Sequence, residues 1–303
     1  MENYTFEVGP EAGSERLDQY LVSVLPETVS RSHLKKLIGA GQILVDGKPA
    51  KPHHKVKPGE KIEISFEEPA SPELKAEDIP LNIIYEDDDM IVINKQPGIA
   101  VHPAPGTRSG TIVNALLFHC RKLSDMNEGR PGIVHRLDKD TSGVMVAAKN
   151  NASHAELARQ FKDRTVKKNY LALVKGIIEM DNGVVDLPIG RHPSNRQKMA
   201  VWHDSERKAV TEYQVIKRFD GFTLVKLDLK TGRTHQIRVH MAYIGHPVLG
   251  DEKYGSKGKF PRQALHSYYL KLHHPKDGRE MEFRAELPAD MKNIMGPDIF
   301  LAF

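Results

Sequence analysis

Between residues 67 and 80 the chain reads "EEPASPELKAEDIP" and loses all apolar periodicity. A stretch rich in Pro, Glu, Ala and Ser cannot bury enough apolar surface to order itself, and it behaves as a linker. It divides the 303 residues into a short basic unit and a longer one, expected over residues 14–72 and 80–303. The longer part has ample length for a sizeable core, whereas the shorter is small for an independent fold.

The short unit has a helix-then-hairpin pattern. "ERLDQYLVSVL" places Leu17, Leu21, Val24 and Leu25 on one helical face. "SRSHLKKLIGAG" predicts a second helix with Ser30 as N-cap and Gly39 or Gly41 as its stop. Arg31, Lys35 and Lys36 cannot all share the apolar stripe of Leu34, Leu37 and Ile38, so they face water or a ligand. "QILVDGKPA" carries an Asp-Gly hairpin signal, and "KIEISF" alternates as a strand.

Beyond the linker, short strands dominate. "MIVIN" (90–94), "GVMVAAK" (143–149), "KNYLALVKG" (168–176), "AVTEYQVIKRF" (209–219) and "FTLVKLDL" (222–229) all read as strands. "ASHAELARQF" predicts a helix opened by a Ser153/Glu156 capping box. Strands outnumber helices without a βαβα rhythm, so the expected class is α+β with a largely antiparallel sheet.

Charge and cysteine usage narrow the functional classes. The net charge is only +4, yet Arg31–Lys61 holds eight Lys/Arg against two acids, and Ala158–Lys168 holds five against one. Repeated basic clusters favour a polyanionic partner. A single cysteine excludes an intrachain disulfide, and the acidic N-terminus lacks an apolar segment, so a cytoplasmic protein is expected. No apolar run approaches a membrane span. Neither a Gly-rich phosphate loop nor HEXXH is present, and His235 and His240, five apart, share neither a helix face nor a strand face. No metal or cofactor is expected, and without an exposed apolar repeat a monomer is expected.

The stretch "HRLDKDTSG" (135–143) lies between the apolar pieces "GIV" and "VMVAA". Asp138 thus sits at a strand end, either capping its own turn or presented as a reactive carboxylate. In "THQIRVHMAYIG", a predicted helix stopped by Gly245, Arg238 falls at the edge of the stripe formed by Ile237, Met241 and Ile244. That position suits a half-exposed surface ion pair as well as a site residue.

The whole pattern resembles known families. "RLDQYL", "SRSHLKKLI", "GQILVDGK" and "VKPGEKIEI" are similar to the S4 RNA-binding domain, which implies that Arg31, Lys35 and Lys36 contact RNA phosphates. "YEDDDMIVINKQPGIAVHP", "GIVHRLDKDTSG", "KKNYLALVKG", "LKTGRTHQIRVHMAYIGHPVLGDEKYG" and "PRQALHSYYLKLHHP" follow the motif order of the RluA family of pseudouridine synthases. The resemblance covers about residues 80–290 and is strongest to the RluD group, which acts on large-subunit ribosomal RNA at the helix 69 stem-loop. Another ribosomal or transfer-RNA site stays open.

The resemblance implies a cofactor-free isomerase that flips a uridine into its pocket. Asp138 would be the essential carboxylate, attacking ribose or base or taking a ribose proton. All three routes need it ionised, and Arg238 would be its partner. Tyr170 would line the uracil pocket and assist loss of the C5 proton, Ile237 would pack on the base, and Arg136 would fill the gap left by the flipped base. Read from local pattern alone, Tyr170 is equally a strand aromatic and Ile237 equally a core residue.

Overall fold

A computed structural model describes residues 2–10, 12, 15–25, 31–51, 53–66, 74–104, 107–127, 129–195, 198–255, 258 and 260–296, without the side chains of residues 2, 3, 31–33 and 36. The chain divides into two units, Met1–Glu73 and Leu74–Phe303.

The first unit comprises β1 (Glu2–Glu7), α1 (Leu17–Val24), α2 (Arg31–Gly39), β2 (Ile43–Val45), β3 (Lys48–Pro49) and β4 (Lys61–Phe66). Its antiparallel sheet runs β1-β4-β2-β3. Asp46 and Gly47 both adopt positive φ, 51° and 72°, as the tight Asp-Gly hairpin requires. The strand β1 pairs along its whole length with β4, Glu2 opposite Phe66, although its few apolar residues carried little sequence signal. On α1, Leu17 and Leu21 are buried while Val24 is 39% exposed. Asp18 is buried instead, accepting from Arg16 at 2.9 Å with the Lys35 ammonium 3.8 Å away. The predicted N-cap Ser30 lies outside the described residues.

The second unit follows the order β5 (Ile83–Glu86), β6 (Met90–Lys95), α3 (Ile112–His119), β7 (Ser142–Ala148), α4 (Asn151–Lys162), β8 (Lys167–Lys175), β9 (Asn182–Asp186), β10 (Ile189–Arg191), β11 (Met199–Val201), β12 (Val210–Phe219), β13 (Phe222–Leu229), α5 (Gln236–Tyr243), β14 (Leu265–His273), β15 (Glu280–Arg284) and α6 (Ala289–Met295). Nine strands form one sheet, β5-β6-β7-β14-β8-β13-β12-β9, with β15 also on β14, and β10 and β11 form a separate hairpin. Within the large sheet only β7 and β14 pair in parallel. The chain is α+β with a largely antiparallel sheet, as expected from the strand-rich pattern.

The apolar run "VMVAA" has a direct cause. Every position of β7 is buried, because alternate residues enter different cores. Met145 packs with Leu116 of α3, and Val144 and Val146 pack with Leu157 of α4. Full burial of such side chains stabilises the fold by about 1.5–3 kcal/mol each. The helix α4 starts earlier than the capping-box pattern suggests. Its N-cap is Asn150, whose side chain accepts from the Ser153 amide at 2.9 Å. Ser153 instead donates to Asp89, and Glu156 pairs with Arg159. An Asn three positions upstream supplied a better-placed acceptor.

The register aligns a row of residues from distant segments. Gly143 of β7 lies opposite Ser267 of β14, Ser267 opposite Tyr170 of β8, and Tyr170 opposite Leu227 of β13. This row sets the loop before β7 on the same part of the sheet as Tyr170. It requires glycine at 143, where φ is +117° and a Cβ would overlap the Ser267 backbone. Gly143→Ala is expected to destabilise the fold by about 3 kcal/mol through that overlap. Thermal denaturation measures the loss, and an unchanged midpoint would contradict the close approach.

Candidate active site

The loop carrying Asp138 is pinned from several sides. The Asp138 carbonyl, not its carboxylate, closes the turn by accepting from the Thr141 amide at 3.1 Å. Thr141 Oγ1 accepts from Gln263, and Ser142 Oγ bonds His266 Nδ1 at 2.9 Å. Arg262 donates to the Asp140 carbonyl while its fork holds Asp290 near the start of α6. The Lys139 carbonyl receives the buried Lys95 ammonium, which also donates to the Gln96 and Ile99 carbonyls. Burial pushes Lys95 down to about 7, opposed by the charges of Asp140 and Asp138. Thus the Thr141 and Ser142 hydroxyls, the Lys139 and Asp140 carbonyls and the lysine of "INKQPG" are spent on holding the loop. The Asp138 carboxylate is left facing outward, which settles its local conformation against the self-capping alternative.

That carboxylate meets Arg238 on α5. Nη1 of Arg238 donates to Asp138 Oδ2 at 2.8 Å. The same guanidinium forks onto Asp251, Nε to Oδ2 at 2.7 Å and Nη2 to Oδ1 at 2.9 Å. Asp251 is wholly buried and also accepts the Lys253 and Tyr254 amides. Arg238 itself is 8% exposed, not half-exposed as a surface pair would be. Burial alone would lower its pKa, but the two carboxylates override this and raise it, so the guanidinium is permanently charged. Gly250, at φ +71°, allows the turn into Asp251 by packing its α-carbon against the Arg262 carbonyl.

His235 completes the arrangement. It is the N-cap of α5 in a left-handed conformation, φ 57°. Its Nε2 stands 3.8 Å from Asp138 Oδ1, the oxygen that Arg238 leaves free. Tyr254 Oη accepts the Met199 amide at 2.8 Å and lies 2.7 Å from His235 Nδ1. Every group is satisfied when Tyr254 donates its proton to Nδ1, which puts the imidazole proton on Nε2, toward Asp138. Burial lowers the His235 pKa, against the pull of Asp138, and so favours this neutral form. His240 points elsewhere, bonding Thr211 and the Leu187 carbonyl at 2.9 Å each. The two histidines share no ligand position.

Asp138, Arg136, Tyr170, Ile237 and Arg238 all line one narrow pocket of about 60 Å³. It shares Arg136, Asp138, Tyr170 and Arg233 with a cleft of about 470 Å³, whose rim adds Lys162, Arg164, Lys168 and Lys230. Tyr170 is buried beside Ser267, and burial pushes its phenol up to about 12, with Asp138 adding to the rise and Ser267 opposing it. Ile237 is 4% exposed and belongs to the main core as well as the pocket wall, so both of its possible roles are structurally met. Arg136 is exposed at the mouth, its Nη1 3.5 Å from His102 Nε2. In the first unit Lys35 is exposed, whereas the side chains of Arg31 and Lys36 lie outside the described residues.

Asp251, Tyr254 and Lys95 are the residues that sequence reasoning passed over, and it weighed His235 only as a metal ligand. Asp251 and Tyr254 stand in the quoted segment "GDEKYG", but nothing local marks them as neighbours of Arg238, a full helix earlier in the chain. Among the described residues, Asp87, Asp89 and His274 offer ligand atoms within 4.8 Å of one another. Their oxygens already accept from Tyr85, His274, Asn150 and Ser153, which accounts for the cluster as a structural tie. No helix among the described residues is long and apolar enough to cross a membrane.

Residues 89–243 match the family of RNA pseudouridylate synthases, and residues 15–62 match the S4 domain. An uncharacterised RNA pseudouridine synthase of Bacillus subtilis, YlyB, is 46% identical over 288 residues, covering 94% of each chain. The ribosomal large subunit pseudouridine synthase D of Pseudomonas aeruginosa is 44% identical, covering 94% of this chain and 92% of its own. Among solved structures, human RNA pseudouridylate synthase domain containing 1 superposes with a TM-score of 0.57 at 29% identity, over 73% of this chain and 86% of its own. On these grounds the chain belongs to the RNA pseudouridylate synthase family of isomerases and carries an S4 domain.

Proposed function

We propose that this protein isomerises specific uridines of large-subunit ribosomal RNA, in the helix 69 stem-loop, within the cytoplasm and without a cofactor. The observation that carries the reading is the buried Arg238 presenting Asp138 to a pocket at the end of a cationic cleft. The named activity of large-subunit relatives at 44% identity supports the choice of RNA.

The reaction breaks the N1–C1′ bond, turns the uracil within the pocket, joins C5 to C1′ and releases the C5 proton. N1 takes up a proton as C5 loses one, so the product is an isomer of the substrate, and atoms and electrons balance without an oxidant or a reductant. A uridine stacked in a stem-loop must first be flipped out, and Arg136, which lines the pocket, fills the gap it leaves. Asp138, ionised, acts on the sugar or the base. Arg238 holds its Oδ2, and the neutral His235 N–H faces its Oδ1. Tyr170, with a phenol near 12, stays protonated at neutral pH. Its part is therefore to pack on the uracil and relay the departing proton through its hydroxyl, not to stand as a phenolate base. Ile237 supplies the apolar wall.

The test is chemical mapping of pseudouridines in ribosomal RNA after incubation with the purified chain, with mass spectrometry of the same RNA. Pseudouridine at helix 69 with unchanged RNA mass supports the reading. Modification confined to another ribosomal or transfer RNA would relocate the substrate. Release of free uracil would instead indicate a glycosylase.

The S4 unit, with Arg31, Lys35 and Lys36 on α2, supplies affinity through phosphates while the second unit supplies chemistry. Two modules on one RNA bind more tightly than one, because the second contact is intramolecular. Deleting residues 1–70 is expected to weaken binding to long ribosomal RNA and to make its salt dependence shallower. A salt titration of both forms measures this, and an identical slope would show that the unit leaves the RNA backbone untouched.

A further inference from the structure

The C-terminus of α4 ends in an unusual residue. Asp163 is the C-cap, and the Thr165 amide bonds back to the Gln160 carbonyl at 3.1 Å. That six-to-one bond defines a Schellman turn, whose next position takes a left-handed conformation and is normally glycine. Here it is Arg164, at φ 60°. A Cβ in that region is disfavoured, and arginine has no short side chain to compensate it. Residues held in such conformations concentrate at functional sites.

The side chain has no internal reason to be there. Arg164 is exposed and forms no ion pair or hydrogen bond among the described residues. Its neighbour Asp163 is already paired with Arg159 at 3.4 Å. Arg164 instead lines the cleft that ends at Asp138, on the same side as Lys168, whose ammonium lies 5.6 Å over the Phe161 ring. Lys168 is held below the usual lysine range by burial; Asp228 opposes that shift and Arg164 adds to it, so the two cations repel one another. An anion between Arg164 and Lys168 would offset their repulsion and give the exposed guanidinium a partner.

We propose that Arg164, together with Lys168, forms a subsite for a backbone phosphodiester of the RNA strand entering the cleft, adjacent to the flipped uridine. This rests on the reading of the cleft as the RNA site. A phosphate there would fix the strand's position relative to Asp138 without reading its sequence.

The test compares Arg164→Gly and Arg164→Lys with the wild-type chain, using a helix 69 stem-loop. Glycine suits the left-handed position, so the thermal midpoint of Arg164→Gly should not fall. Its affinity should nevertheless drop roughly fivefold at 0.1 M salt, and its salt slope should become shallower by about 0.7. Arg164→Lys, which keeps the charge and the backbone conformation, should recover most of both. An Arg164→Gly variant with wild-type affinity and slope overturns the subsite, as does an Arg164→Lys variant as weak as Arg164→Gly. Turnover of the wild-type chain on the same RNA separates the two levels. If it isomerises the stem-loop while Arg164→Gly binds normally, only the subsite fails. If it does not isomerise uridine at all, the functional reading and the subsite fail together.

Discussion

Asp138→Asn is expected to reduce turnover by at least about 10³-fold, the scale of losing a positioned acid–base or nucleophilic group. The substitution is nearly isosteric. An amide oxygen still accepts from Arg238 Nη1, and Arg238 keeps its buried partner Asp251, so no charge is stranded. The loop itself is held by Lys95 and Arg262 on its carbonyls and by Gln263 on the Thr141 hydroxyl, none of which uses the Asp138 carboxylate. Folding and RNA affinity should therefore stay close to wild type while chemistry disappears. Single-turnover isomerisation assays beside binding isotherms and melting curves separate these quantities. Wild-type turnover in the variant would remove Asp138 from the mechanism.

Arg238 should show the opposite coupling, because it serves fold and chemistry together. Arg238→Ala leaves Asp251 wholly buried with only two backbone amides as partners. Removing one member of a buried pair costs about 3–5 kcal/mol. For a domain of this size that lowers the melting temperature by roughly 10 °C. Arg238→Lys tests geometry apart from charge. The planar fork reaches Asp251 with Nε and Nη2 and still sends Nη1 to Asp138, whereas a single ammonium satisfies one carboxylate at a time. A displaced Asp138 is expected to cost about 10²-fold in turnover, with RNA affinity little changed. A lysine variant with a normal rate would mean that charge alone is needed at this position.

The triad also changes how the charge of Arg238 is understood. A helical arginine beside one aspartate makes a neutral pair. With Asp251 bidentate on its other edge, the guanidinium is already matched, and the three groups together carry a net negative charge centred on Asp138. Arg238 orients Asp138 more than it neutralises it, which suits a carboxylate that must attack or accept a proton.

Much of this was legible in the order of residues. The loss of periodicity after residue 66, the Asp46-Gly47 turn, the strand runs and the helix ending at Gly245 are local properties, fixed by side-chain size, backbone freedom and periodicity over a few residues. So was the presence of Asp138 in a loop that runs into an apolar strand, although the preceding "GIV" makes only a single bridge, Ile133 to Ala147. Where the local signal misled, a competing local group was the cause, as when Asn150 took the cap expected of Ser153. Only the tertiary structure decided the burial of Arg238. Helical periodicity gives a residue's angle about the helix axis, but not what covers that side, and here the cover is Asp251 from the turn after Gly250. The same holds for the row Gly143, Ser267 and Tyr170, whose members are brought together by strand order and register. Strand pairing joins residues far apart in the chain through main-chain hydrogen bonds that every residue type can make. Its partners are therefore chosen by the packing of the whole sheet rather than by any motif within it.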